Sequence, residues 1–315
     1  MTAIVPKFVR GVVVLVLLGT LTMALPLLLT GNPAIAVLGT EATPEQLAAF
    51  TAALDLEASP PERLVHWLGR AFGGDLGTSL VTGLPVAEEI GSRLPVTLEL
   101  LLCSQVLALA ITLPVAMRSA WKSGGILDRI ATLVTFVLIS TPAFVLGVAL
   151  ILALAVGATV LPATGWADPS DPVAHLRHLV LPVLTIALTE AAVLTRVLRA
   201  DLIATLGTPY ILAARSRGLS SWRLLVTRAL RPSSLSTVTL VGLGLGLAFG
   251  GSVLVETIFA VPGMGRLAAN AIAARDFPVI EAIVLFSGTT VVLVGIVVDA
   301  VYGVIDPRAQ HVPAR

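Results

Sequence analysis

Charge is what this sequence has least of. Only 12% of its 315 residues are Asp, Glu, Lys or Arg, while 56% are hydrophobic. Soluble domains carry about 25% charged residues. A surface with so little charge is not suited to water, and bilayer-spanning segments are the simplest account. Cysteine is limited to Cys103, inside an apolar run, which excludes an intrachain disulfide and a multi-cysteine metal site. Lysine occurs only at Lys7 and Lys122, and neither closes a G-x-x-x-x-G-K-[ST] run, so there is no phosphate-cradling loop. If ATP drives this protein, another chain hydrolyses it. G-x-S-x-G and H-E-x-x-H are also missing, so a hydrolase has no support. The net charge of +1 gives no signal for nucleic acid. His175 and His178 stand three apart without a carboxylate cluster beside them in sequence. Neither a metal nor a cofactor is expected.

What is present is long apolar runs. A helix needs about 20 apolar residues to cross the hydrocarbon core. Residues 11–29, 94–117, 130–156, 179–198, 235–255 and 279–305 meet that requirement, which predicts six spans. The first could instead be a signal peptide, with Lys7 and Arg10 before it and Ala34-Ile35-Ala36 as a cleavage site. Its nineteen-residue apolar run exceeds the usual ~7–15-residue signal core, which favours a retained span. With the N-terminus inside, the inner segments hold 14 of the 20 basic residues. The outer ones hold Arg63, Arg70, Arg93, Arg177, Arg266 and Arg275. That bias predicts both termini in the cytoplasm.

The segments between spans carry local signals. Outside, Thr43-Pro44-Glu45 predicts a helix start and a helix to about Leu54. Pro60-Pro61 should break the chain before a second helix from Glu62 to about Phe72. Together they suggest a small helical cap at the outer mouth. Inside, Thr208-Pro209 opens a short helix and Gly218 closes it. Tyr210, Ala213, Ala214 and Arg217 recur at i, i+3, i+4, i+7 and so share a stripe. Two small residues within it would let another protein approach the backbone, and the arginines around it could meet acidic groups. The competing account is a basic loop lying on anionic lipid.

Within the spans, Gly242, Gly246 and Gly250 recur every four residues, the small-xxx-small pattern of close helix packing. Thr141-Pro142 should kink the third span. Glu190 is the acid deep inside a span, and such residues face a polar partner or a water-filled cavity. Arg196, six positions on, lies on a different face.

Several motifs then converge. Gly31-Asn32-Pro33 follows the first span. Gly73-Gly74-Asp75-Leu76-Gly77-Thr78-Ser79, Pro85-Val86 and Arg93-Leu94-Pro95-Val96-Thr97-Leu98 lead into the second. Ser140-Thr141-Pro142-Ala143-Phe144 lies in the third. The inner motif is Tyr210-Ile211-Leu212-Ala213-Ala214-Arg215-Ser216-Arg217-Gly218-Leu219. Val255-Glu256-Thr257-Ile258-Phe259, Pro262-Gly263-Met264-Gly265-Arg266-Leu267 and Asp306-Pro307-Arg308 complete the set. Over nearly its whole length the chain resembles the dipeptide/oligopeptide permease family of type I ABC importers, with Asn32 replacing an aspartate of that pattern. The inner motif looks like the family's EAA loop, although Leu212 stands where the general motif has glutamate.

The resemblance implies an all-α integral membrane protein of six transmembrane helices with a type I ABC importer permease core. Residues 1–93 would form the first span and the extracytoplasmic segment, 94–306 the permease domain and 307–315 a cytoplasmic tail. Coupling to an ATPase would fall to Tyr210, Ala213, Ala214, Arg215, Arg217, Gly218 and Leu219. Helix packing or pathway lining would fall to Glu190, Gly242, Gly246 and Gly250. The implied partners are a second homologous permease, two cytoplasmic ABC ATPases and an extracytoplasmic solute-binding protein, around a lipid bilayer in the cell membrane. Peptides are the expected solute, with nickel chelates, glutathione or other small solutes as same-fold alternatives. An ion-coupled secondary transporter would call for internal repeats and more intramembrane charge, and a scaffold without transport is the remaining class.

Overall fold

The structure is a computed structural model that describes residues 4–28, 34–35, 39 and 42–305. Gly31-Asn32-Pro33, Ala36 of the Ala34-Ile35-Ala36 stretch, Asp306-Pro307-Arg308 and the terminal tail lie outside the described residues. Among the described residues the regular structure is helical, apart from one isolated antiparallel bridge between Thr78 and Pro85. The helices are α1 (Ile4–Ala24), α2 (Pro44–Ala53), α3 (Pro60–Phe72), α4 (Val86–Trp121), α5 (Ile126–Ser140), α6 (Ala143–Leu150), α7 (Pro172–Leu206), α8 (Pro209–Ser216), α9 (Ser221–Leu224), α10 (Leu230–Ser233), α11 (Leu235–Ile258), α12 (Met264–Ala274) and α13 (Phe277–Ile305). A π-helical segment, Ile151–Gly157, continues α6, and another, Leu225–Ala229, joins α9 to α10.

Four stretches are single helices apolar and long enough to span: Val9–Leu28, Val86–Trp121, Pro172–Leu206 and Phe277–Val298. Two more are bent pairs, and the total is six if each pair is one span. The pair Ile126–Ser140 and Ala143–Gly157 turns by 106°. The proline therefore does more than kink the third run. Thr141 is driven to extended backbone (φ −95°, ψ 121°) by the ring that follows it, which ends one helix, and Pro142 then caps the next. The pair Leu235–Gly246 and Gly250–Ile258 bends by 62° within the glycine run. Glycine weakens a helix interior, so the bend falls where the helix is least stiff.

The chain forms two compact units. One comprises Met1–Thr97 and Pro262–Val292, the other Leu98–Val261 and Leu293–Arg315. In the first, Met23, Phe50, Leu64, Trp67, Phe277 and Ile283 share a buried core. Helices α2 and α3 of this unit are built by their caps. Thr43 and Gln46 form a reciprocal capping box with Pro44 in the first turn. Ser59 and Glu62 form another, so α3 starts at Pro60, two residues before the sequence-based expectation. The two prolines do not break the chain there, because a missing N–H costs nothing in a first turn. Hydrogen bonds from Ser59 hold the exposed Glu62 carboxyl below its ordinary range. Gly19 lets α1 lie against α3: a Cβ there would meet Leu64 Cδ1 at 2.6 Å. Arg63 donates from Nη1 to the Met23 carbonyl and from Nη2 to Glu281 Oε1 at 3.0 Å, with both side chains buried. Asp276 accepts from Ser79 Oγ at 2.5 Å and from the Leu80 amide at 3.1 Å, tying the turn before α4 to the start of α13.

In the second unit α7 is the central helix. Ala187, Ala191 and Leu194 pack with Ala108 of α4, flanked by Leu240 and Val241 of α11. Asp128 at the start of α5 is clamped by Arg199 of α7, at 2.5 Å from Nε and 2.7 Å from Nη2, and accepts the Gly124 amide. Lipid supplies no hydrophobic drive between spanning helices. Small contact residues and buried polar clamps therefore do the joining. Leu17, Leu133 and Phe136 stay more than 60% exposed, as lipid-facing residues can.

Candidate functional site

Helix α8 has the boundaries its punctuation predicts. Thr208 is extended (φ −76°, ψ 148°) and its carbonyl accepts from the Ile211 and Leu212 amides at 3.1 and 3.2 Å. Pro209 occupies the first turn without penalty. At the other end Gly218 adopts φ +81° and donates its amide to the Arg215 carbonyl at 3.0 Å. A left-handed residue of this kind is the standard use of glycine after a helix.

Which residues face outward differs from the sequence-based stripe. Ile211 and Ala214 are buried, 2% and 5% exposed, in a cluster with Leu198, Leu202, Leu224 and Ala229. Tyr210 and Leu212 are about half exposed, and Ala213, Arg215 and Arg217 are exposed. Ala214 therefore belongs to the seat of the helix, not to its free face. The i, i+3 pair Ile211–Ala214 takes the inward side because Ile211 is the bulkier apolar choice for a core. The signal was the isoleucine itself.

The free face is held by polar contacts. Tyr210 donates its hydroxyl to the Arg228 carbonyl at 3.2 Å, and Arg217 Nε reaches the Ala213 carbonyl at 3.2 Å. The Arg215 guanidinium lies 5.5 Å from the centre of the Trp121 ring at the end of α4, within cation–π range. Leu219 is half-buried against the same core. Beside the helix a cleft of about 320 Å³ is lined by Trp121, Ile203, Leu206, Leu212 and Arg215. The result is a short helix seated on α7 and the end of α4, with Ala213 and the basic Arg215 and Arg217 turned outward.

The other candidate residues do not join this site. Glu190 lies on α7 opposite Gly244 of α11, where a Cβ would stand 3.8 Å from Glu190 Oε1. Its Oε2 is buried with no hydrogen-bond partner. Gly242 is a true close approach: a Cβ there would fall 1.8 Å from Val298 Cγ2 of α13. Gly246 is buried at the end of the first limb of α11, whereas Gly250 is exposed with nothing within 4 Å. A four-residue stripe stays on one face only along a straight helix, and the 62° bend ends it. His175 Nδ1 faces the Ala167 carbonyl and Nε2 faces Glu99 Oε1, both at 2.8 Å, while His178 Nδ1 faces the carbonyl of Ala174 on its own helix. The two rings do not converge on a common ligand.

Comparison with known proteins adds the decisive observation. A family model described as binding-protein-dependent transport system inner membrane component matches residues 111–311, well over half of the sequence. The chain belongs to this family. It is 35% identical over 322 residues to a Brucella abortus (strain 2308) protein named as a peptide transport system permease, covering 99% of this chain and 100% of the relative. It is 32% identical over 316 residues to the dipeptide transport system permease protein DppB of Escherichia coli (strain K12), covering 92% and 93%. It is 31% identical over 309 residues to a Sinorhizobium fredii protein named as a peptide ABC transporter permease, covering 98% and 99%. The permease is thus a multi-pass membrane component of an ABC importer and not an enzyme; ATP hydrolysis lies in partner subunits. The matched segment contains α8 and its seat.

Proposed function

We propose that this permease is one of two homologous membrane subunits that form the pathway of an ATP-driven importer for di- and oligopeptides. The observation that carries the reading is the match to peptide and dipeptide permeases along nearly the full length of both partners. An extracytoplasmic binding protein delivers the solute, and two ATPases sit on the cytoplasmic side, where both termini also lie. Helix α8, with Tyr210, Ala213, Arg215 and Arg217 outward and Gly218 and Leu219 fixing its end, docks in a groove of one ATPase. ATP binding closes the ATPase dimer, and α8 passes that motion through Ile211 and Ala214 to α7. A helix with a buried, packed underside transmits displacement, since close-packed contacts resist compression.

The test is uptake of labelled dipeptides and oligopeptides by cells lacking this chain, with and without a plasmid-borne copy. Restored peptide uptake is expected. Restoration of nickel or glutathione uptake with no effect on peptides would overturn the peptide assignment while leaving the permease assignment standing.

A further inference from the structure

Two adjoining cavities line the α5–α7 face of the second unit, at the end of the bundle that carries the arginine-rich segment. One, of about 240 Å³, is lined by Thr132, Thr135, Thr195, Arg196 and Arg199. The other, of about 380 Å³, is lined by Asp128, Arg129, Thr132, Leu133 and Phe136. Thr132 is common to both. The charges do not balance. Arg199 is spent on Asp128, whereas Arg129 and Arg196 are exposed and pair with no carboxylate among the described residues. Arg196 lies ten residues before the end of α7, roughly 15 Å along the helix. It also stands two residues before the end of the apolar run 179–198, where a long cationic side chain can reach toward the headgroups. The hydroxyls of Thr132 and Thr135 already donate to backbone carbonyls, so the guanidinium groups supply the attraction. Next to this cationic pocket, Leu133 and Phe136 expose an apolar strip along α5.

We propose that this face binds an anionic phospholipid, with the phosphate between Arg196 and Arg129 and an acyl chain along Leu133 and Phe136. A pocket of uncompensated arginines continuous with an apolar groove, in a protein already in the bilayer, matches both halves of such a lipid. A free phosphate would use only the first half, and a zwitterionic lipid would gain little from the net positive charge. Each basic residue near an anionic headgroup contributes about a fivefold gain in affinity.

The experiment uses the full-length permease, purified in detergent and delipidated, and native mass spectrometry of retained lipid. Phosphatidylglycerol should be retained about fivefold or more over phosphatidylcholine of the same chains. Arg196→Gln should abolish most of that preference. This variant leaves the Arg199–Asp128 clamp in place, and elution as a monodisperse species checks its fold. Phe136→Ser should weaken phosphatidylglycerol retention. Equal retention of the two lipids, or an unchanged preference in Arg196→Gln, would overturn the proposal. So would full displacement by inorganic phosphate together with a silent Phe136→Ser, which would mark a phosphate site. Disulfide capture of a second permease through Phe136→Cys in the native membrane would overturn it too, since the face would then be covered by protein.

Discussion

Replacing Arg63 with methionine removes the guanidinium and keeps most of the stem's volume. Helix α3 carries two side-chain contacts to carboxylates three residues apart, and they differ in burial. Arg63 and Glu281 have side chains only 2% and 6% exposed, whereas His66 and Asp55 are 61% and 40% exposed. Burial pulls the Arg63 guanidinium below its ordinary value, and the nearby Glu281 charge opposes that pull. An isolated buried partner is costly: removing one member of a buried pair typically costs about 3–5 kcal/mol, whereas an exposed pair contributes about 0–1 kcal/mol. The larger figure corresponds to a rise of between about a hundredfold and a few thousandfold in the open population of α3. Hydrogen exchange of the Pro60–Phe72 amides in the detergent-solubilised protein reads that population directly. Arg63→Met should accelerate exchange by that factor, and His66→Ala should change it by less than about fivefold. Arg63→Met combined with Glu281→Gln should recover part of the loss, because no charge is then left buried. Similar exchange in Arg63→Met and His66→Ala would refute the argument that burial, and not the pairing alone, sets the strength of this contact.

Other substitutions separate packing from docking. Gly242→Ala should reduce the yield of monodisperse protein, in line with an overpacking cost of about 1–3 kcal/mol, because its Cβ would lie 1.8 Å from Val298 Cγ2. Gly250→Ala, with nothing within 4 Å, should leave the yield unchanged, and equal losses at both positions would discard the bend as the explanation. Ala213→Glu should fold normally but fail to copurify with ATPase subunits, whereas Ala214→Glu should fail to fold, since its side chain enters the buried cluster. Retained ATPase and full transport in Ala213→Glu would sink the docking role of α8. Reporter fusions active only outside the cell should be active after Leu54 and Asp168 and silent after Lys122 and Ser220; activity after Ser220 would reverse the proposed topology. Glu190→Gln should alter solute uptake with assembly intact, because the buried Oε2 has no partner whose loss would loosen the fold; a fall in assembly before uptake would point instead to a contact with the second permease.

Much of the fold was legible because its determinants are local. An apolar run long enough to span is read without knowing its neighbours, and the ends of α8 follow from Pro209 and Gly218 alone. The same holds for the capping box of α2, where Thr43 and Gln46 are three residues apart. The break after Ser140 was legible in position but not in size. Pro142 guarantees a lost hydrogen bond and a restricted Thr141, but the 106° turn is set by what α6 packs against, including Gly147 beneath Phe259. The clamps that hold the units were not legible. Arg63 and Glu281 are 218 residues apart, and Arg199 and Asp128 are 71 apart. Either arginine read alone is only one more positive charge in a topology count.

The candidate site shows the same limit at the scale of one helix. Periodicity assigns Tyr210, Ala213, Ala214 and Arg217 to a common stripe, but it does not say which way the stripe points. A helix of eight residues tethered at both ends must bury something, and the alanines compete for that role with Ile211. Ile211 removes more apolar surface from water than alanine, so it turns inward and takes Ala214, three positions on, with it. Ala213, one residue away, is thereby turned outward. The inward alanine has its own consequence: a small side chain over Leu198 and Leu202 lets α8 sit close to α7. The feature read from sequence as a low surface for a partner is, at Ala214, a low surface for the chain itself. That close seat is what a rigid relay from α8 to α7 requires.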